Sequence, residues 1–224
     1  MKIIKILFLT MMVLSFGRNL TQAQTLNWAS FNRDQRNILN INAGVDYSFT
    51  YGIGYGYQLK TKLPVLLNVE YSQAAGENLF DDFKTKIGGQ IRIYEIDHFH
   101  FTAKVQGIFR RFEDDYVRML NFGSDMSVIA GYYKSRWFVA GEFGFDKAIV
   151  THFKHSDISR EDFPGIKDGW YEPSTGGNFY YGLQAGYSFH QYDIMIKAGQ
   201  VVQQDFETHP SIPFYLHVGF NKKF

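Results

Sequence analysis

Histidine, carboxylate and aromatic residues crowd one stretch of this chain, residues 151–177: His152, His155, Asp157, Glu161, Asp162, Asp168, Trp170 and Tyr171. His155 and Asp157 form a His-x-Asp pair, in which a carboxylate can orient an imidazole as a general base. His155 also adjoins Ser156, the residue types of a base and its nucleophile. Two aspartate pairs, Asp81 with Asp82 and Asp114 with Asp115, add carboxylates in other stretches rich in polar residues. Adjacent residues on a strand point to opposite faces, so Asp81 and Asp82 make a poor water-sharing dyad. His152, His155 and His209 follow no ligand spacing rule, so no metal is assigned. The glycines in Tyr51-Gly52-Ile53-Gly54-Tyr55-Gly56 have the look of a phosphate loop, but no helical pattern follows to supply a dipole. They read instead as small positions that let bulky neighbours fit or a strand bend. No catalytic residue and no cofactor is assigned. The exposed aromatics Trp170 and Tyr171, with His155 and Asp157, suit recognition of a surface protein or glycan.

The elements that carry these residues alternate with period two. Leu39, Ile41, Ala43, Val45, Tyr47 and Phe49 interleave with Asn40, Asn42, Gly44, Asp46 and Ser48. The same rhythm returns in Val65–Ser72, Lys86–Ile93, Phe99–Phe109, Arg136–Asp146 and Phe179–Phe189. Recurring period-two patterning with little helical periodicity predicts an all-β fold. Connections alternate between short ones near 60–64, 95–98, 133–136 and 190–193 and long ones near 73–82, 111–117, 151–177 and 203–211. The stretch 39–59 divides into two strands if a tight turn lies near residues 48–51. The count is then ten strands, with eight as the alternative, because 119–132 is poorly patterned and the first hairpin is inferred.

Aromatic residues make up 18% of the chain, while mean hydropathy is −0.24. That combination fits a barrel with aromatics outside and polar residues inside. The predicted inward set is Asp46, Glu70, Lys84, Lys86, Arg92, Lys104, Arg136, Glu142, Asp146 and Lys197, mixed in sign. Confined charges must pair, because a buried lone charge is costly. The hairpin around 73–82 places Glu70 opposite Lys84 or Lys86, where an ion pair is expected. A lumen filled by such pairs is the main expectation and a narrow pore the alternative; mixed signs disfavour strong ion selectivity.

Lys2 and Lys5 precede an apolar run from Ile6 to Phe16, and Thr21-Gln22-Ala23 offers a small-residue cleavage site. This pattern reads as a signal peptide over residues 1–23. A periplasmic N-terminal segment over 24–37 and a barrel domain over 38–224 follow. The chain has no cysteine, which removes disulfides, thiolate metal sites and cysteine nucleophiles. Without Lys2, Lys5 and Arg18 the remaining basic residues nearly balance the 22 acidic ones. Such neutrality gives no sign of nucleic-acid binding.

The chain ends on a further alternating strand: Phe214, Leu216, Val218, Phe220, then Lys222 and terminal Phe224. This ending resembles the closing strand of bacterial outer-membrane β-barrel proteins. The resemblance implies an antiparallel up-and-down transmembrane barrel in the outer membrane of a Gram-negative cell, with a periplasmic C-terminus. It also implies that Phe214, Leu216, Val218, Phe220 and Phe224 are read by the barrel-assembly machinery, and that outer-membrane lipid surrounds the wall. Long loops then lie outside the cell, and aromatics such as Tyr55, Tyr57, Phe99, Trp137, Tyr187 and Phe220 form interfacial girdles. The rim aspartates and His155 share residue types with ten-stranded outer-membrane proteases, and His155-Ser156 with lipid A deacylases and phospholipases, but without their arrangement along strands. The expected function is therefore structural, adhesive or secretion-accessory, acting through the loops. A rim hydrolase and a soluble lipocalin-like binder remain as alternatives.

Overall fold

A period-two chain with one apolar face must bury its backbone polar groups in a sheet, and a sheet with no free edge is a ring. The structure, a computed structural model, describes residues 25–32, 34–76, 80–173, 176–207 and 210–224, and shows that solution. The strands are β1 (Asn37–Val45), β2 (Phe49–Gln58), β3 (Val65–Ala74), β4 (Asp82–Ile96), β5 (Phe99–Glu113), β6 (Val117–Tyr133), β7 (Trp137–His155), β8 (Gly169–Tyr171), β9 (Gly177–Phe189), β10 (Tyr192–Gln203) and β11 (Phe214–Lys223). Each pairs antiparallel with its neighbours, β1 joins β11, and β7 joins both β6 and β9. Ten strands thus close a barrel, and β8 is a short addition on the upper edge of β7. The ten-stranded expectation holds, and the barrel end that carries Phe224 is called the lower end below.

Alternation sorts the side chains as the sequence predicts. Leu39, Ile41, Ile53, Val69, Ile87, Val105, Phe143, Leu183, Ile196 and Val218 are exposed on the outer wall. Asn40, Lys84, Lys104, Glu142, Gln184 and Lys197 are buried within. The terminal strand keeps the rhythm, with Phe214, Leu216, Val218 and Phe224 exposed outward and Tyr215 and His217 buried inward.

Three local readings need correction. The first turn lies at residues 46–48, so Tyr51 is already in β2. The turn swings Tyr47 inward rather than outward: its ring lies under the Arg110 guanidinium at 4.0 Å and the Lys84 ammonium at 5.0 Å. Secondly, 119–132 is a regular strand, with Phe122, Met126 and Val128 outward. A polar residue, Ser124, interrupts the apolar face and hides its period. A bulge follows there, where Phe122 faces Val150 and Gly123 faces Ala148, leaving Ile149 extra in β7. Beyond it, even positions of β7 point outward. Thirdly, Arg136 is exposed in the turn between β6 and β7, not inside the barrel.

Residues 25–31 occupy the lower mouth of the barrel, where Leu26, Asn27 and Trp28 are buried. The signal-peptide reading of 1–23 lies outside the described residues, as does His209.

Candidate functional site

Two regions gather the residues that the sequence singles out: the lumen, and the upper rim around β7 and β8.

In the lumen, charges pair across the barrel more than along neighbouring strands. Asp125 on β6 is the hub. It faces Lys86 of β4 at 3.3 Å and Lys104 of β5 at 3.5 Å, and accepts a hydrogen bond from the Tyr180 hydroxyl of β9 at 2.7 Å. Glu142 of β7 pairs with Lys197 of β10 and accepts from the Tyr215 hydroxyl of β11 at 2.6 Å. Asp46 lies 3.6 Å from Lys84. The register sets Glu70 opposite Lys86, and Glu70 accepts from the Asn68 amide at 2.7 Å. Gly54 faces Glu70 in the register, and a Cβ there would come within 3.0 Å of its side chain. The small-residue reading of the Gly52–Gly56 run thus has a concrete cause at Gly54. Asp146 sits beside Asp125 and accepts from Asn178 at 3.1 Å. Lys86 and Tyr180 with Asp125, and Lys197 and Tyr215 with Glu142, skip at least one strand and so cross-link the wall.

The lower mouth is closed by different chemistry. Trp28 and Leu26 pack into an apolar collar of Ile38, Leu66, Ile129, Tyr133, Phe138 and Met195. Tyr133 stacks on Phe138 at 5.2 Å and on His100 at 4.7 Å. The Asn27 side chain donates to Lys134 O at 2.9 Å and Ser188 Oγ at 2.8 Å. Asn221 donates to Thr25 O at 3.0 Å. Lys223 pairs with Asp193 at 2.8 Å and reaches the Ser30 hydroxyl. Arg92 pairs with Glu95 at 3.0 Å and lies over the Trp28 ring at 5.9 Å. Above the collar, a cavity of about 30 Å³ between Thr25, Asn40, Asn42, Lys197 and His217 has room for a water molecule but not for a larger solute. The predicted inward set thus missed Asp125, Asp193, Lys223 and the hydroxyls of Tyr180 and Tyr215. The parity of β6, once its Ser124 gap is recognised, would have placed Asp125 inside.

At the upper rim, β7 runs to His155, so the predicted 27-residue connection is mostly ordered. A short helix, α1 (Asp157–Asp162), and β8 fold it back on the wall. Ser156 caps the helix by accepting from Ser159 N and donates to Asp115 O at 2.7 Å. Its hydroxyl is therefore engaged in holding the loop rather than poised beside an imidazole. His155 does not pair with Asp157: its main-chain N–H and its Nδ1 both meet Asp168 Oδ1, at 2.8 and 2.9 Å. Arg160 donates to the other oxygen of Asp168 at 2.7 Å. These partners, the His155 N–H foremost, hold the Asp168 carboxyl down at about 2. Asp157 sits at the helix start, 3.8 Å from Arg160. The His-x-Asp spacing failed because a helix begins between its members and turns Asp157 away. Trp170 is exposed but leans on His152 at 4.8 Å and Phe122 at 6.0 Å; Tyr171 meets Phe153 at 5.4 Å. Trp170 thereby ends an outer aromatic row that runs through Phe122, Phe109, Phe83 and Tyr71.

Between the β3–β4 and β5–β6 connections lies an open cavity of about 540 Å³, bordered by Ser48, Asp81, Asp82, Glu113, Asp114 and Asp115. Arg110 binds Asp82 through two nitrogens, at 3.0 and 2.8 Å, and the Asp114 carboxylate accepts from Tyr116 N and Val117 N. These carboxylates serve the loops, and no metal-holding group of three or more such residues occurs among the described residues.

No family model and no curated protein matches the chain. Among the solved structures that resemble it are "KdgM porin" and "KdgM porin in complex with disordered oligogalacturonate". Each shares 8% identity and a TM-score of 0.43, over 84% of this chain and 99% of its own. On its own geometry, a ring of ten antiparallel strands with an apolar outer wall and a charged interior, the chain has the architecture of a small outer-membrane β-barrel protein.

Proposed function

We propose that this protein is a closed outer-membrane barrel that acts through its external surface rather than as an open pore. The carrying observation is the filled interior: cross-barrel ion pairs occupy the middle, and residues 25–31 occupy the lower mouth. In this reading residues 1–23 are a cleaved signal peptide, the C-terminus and short turns are periplasmic, and β8 with α1 faces outward from the cell. Phe214, Leu216, Val218, Phe220 and Phe224 guide insertion by the assembly machinery. The outer wall supports the placement, since large apolar side chains exposed on nearly every strand have no place in water. The role is structural, adhesive or secretion-accessory, with a surface protein or glycan engaged through Trp170, Tyr171 and their loop.

The test is electrophoretic mobility of the membrane fraction with and without boiling, combined with protease on intact cells. A boiling-dependent shift and cleavage restricted to 156–176 are the expected results. Recovery as a soluble periplasmic protein with no shift would contradict the reading and favour a soluble binder.

A further inference from the structure

Among the described residues, cations gather on the upper outer wall at β5, β6 and β7, just above an aromatic rung. Three rungs climb the outer face of β5, β6 and β7. The first is Phe109–Phe122–Val150, the second Arg111–Leu120–His152 with Trp170 beyond it, and the third Glu113–Arg118–Lys154. Rungs on one face are two residues apart, about 7 Å. The aromatic rung lies above Val105–Met126–Phe145 on the same face, with Gly107, Ser124 and Lys147 between, and the cations stand one to two rungs above it.

Arg118 and Lys154 are direct cross-strand partners. Like charges placed so are destabilising unless an anion lies between them. Glu113 lies across from Arg118, but its carboxylate is held by Arg111, which also donates to Phe80 O at 3.0 Å. Asp114 is spent on backbone amides. Among the described residues, neither Arg118 nor Lys154 has a carboxylate within ion-pair distance. The upper outward positions of the other strands are apolar or neutral: Val45, Phe49, Phe83, Phe179, Gln200, Val202 and Phe214. The cations are therefore a local feature of one wall, not a general rim charge.

We propose that Arg118 and Lys154, supported by Arg111, form a binding site for the phosphate of an anionic outer-leaflet glycolipid, whose acyl chains lie along Phe109, Phe122 and Trp170. Two cations above an apolar aromatic surface match a headgroup phosphate above its hydrocarbon. The site rests on the membrane placement proposed above.

The folded protein in uncharged detergent would be titrated with bis-phosphorylated lipid A, the same lipid without its phosphates, and inorganic phosphate, with binding read by native mass spectrometry. The phosphorylated lipid should bind at least tenfold more tightly than the dephosphorylated one. R118Q/K154Q should remove most of that difference, R118K/K154R should retain it, and K60Q/K62Q at the lower rim should leave it unchanged. Equal binding of the two lipids, or equal loss in the lower-rim variant, would overturn the site. Saturation by inorganic phosphate alone would replace the lipid with a free anion and overturn the proposal in that respect. A barrel that is boiling-sensitive yet indifferent to lipid phosphate refutes this site alone; a chain that is not boiling-sensitive refutes the membrane placement itself.

Discussion

The two ends of the barrel close in opposite ways. Below, the chain's own residues 25–31 enter the mouth and bury Trp28 and Leu26 in an apolar collar. Above, the connections leave a carboxylate-bordered cavity of about 540 Å³ and fold outward as β8 and α1. The lower end is sealed by packing, and the side chains of Asn27 and Lys223 have partners there. The upper end is held by exposed hydrogen bonds such as that from Arg160 to Asp168. Packing gives a rigid stopper; exposed polar contacts give a surface that can be altered at small cost. On the function proposed above, that asymmetry makes the upper end the face for a partner.

Three substitutions probe the contrast, in falling order of effect. Asp125→Ala strands Lys86 and Lys104 in the lumen and frees Tyr180. Removing one partner of a buried ion pair costs about 3–5 kcal/mol. The urea midpoint for loss of the boiling-resistant fold should fall accordingly, and an unchanged midpoint would deny Asp125 its role as hub. Trp28→Ala should cost about 3 kcal/mol by opening the collar. Its distinctive sign is faster proteolysis near residue 31 with the barrel strands still protected; equal loss at both ends would mean that the segment is no separate stopper.

Asp168→Asn should affect only the upper loop. It should speed protease cleavage within 156–168 several-fold while leaving the urea midpoint of the barrel where it was. The same contact sets a pH response. A carboxyl whose value falls on folding stabilises the loop at pH above its ordinary value of 3.8, and that contribution is lost as the pH drops towards about 2. The His155 amide resonance should therefore shift between pH about 4 and about 2. No shift in that window, or the same shift in Asp168→Asn, would show that the bond does not hold the loop.

Strand alternation made the wall legible in the sequence, because a period of two fixes which face each side chain takes once a strand is found. Lys84, Lys86, Lys104, Glu142 and Lys197 were placed inside on that ground alone, and they are buried. What pairs with what was less legible. Asp125 serves strands on both sides of its own, and no local rule reveals a contact between β6 and β9. Tyr47 was misplaced because alternation fails inside a turn. The candidate loop pair failed for a related reason: sequence spacing suggested His155 with Asp157, while β8 brings Asp168 from thirteen residues away. The stopper was hidden too, since residues 25–31 carry no periodic signal and their burial depends on the shape of the finished ring.

The central claim is that the barrel interior is closed. Current across planar bilayers tests it most directly, using protein shown by its boiling-dependent mobility to be folded. The expected result is silent insertion, with no unitary steps at moderate voltage. Steady, reproducible steps from the unaltered protein would contradict a filled lumen and make the chain a channel.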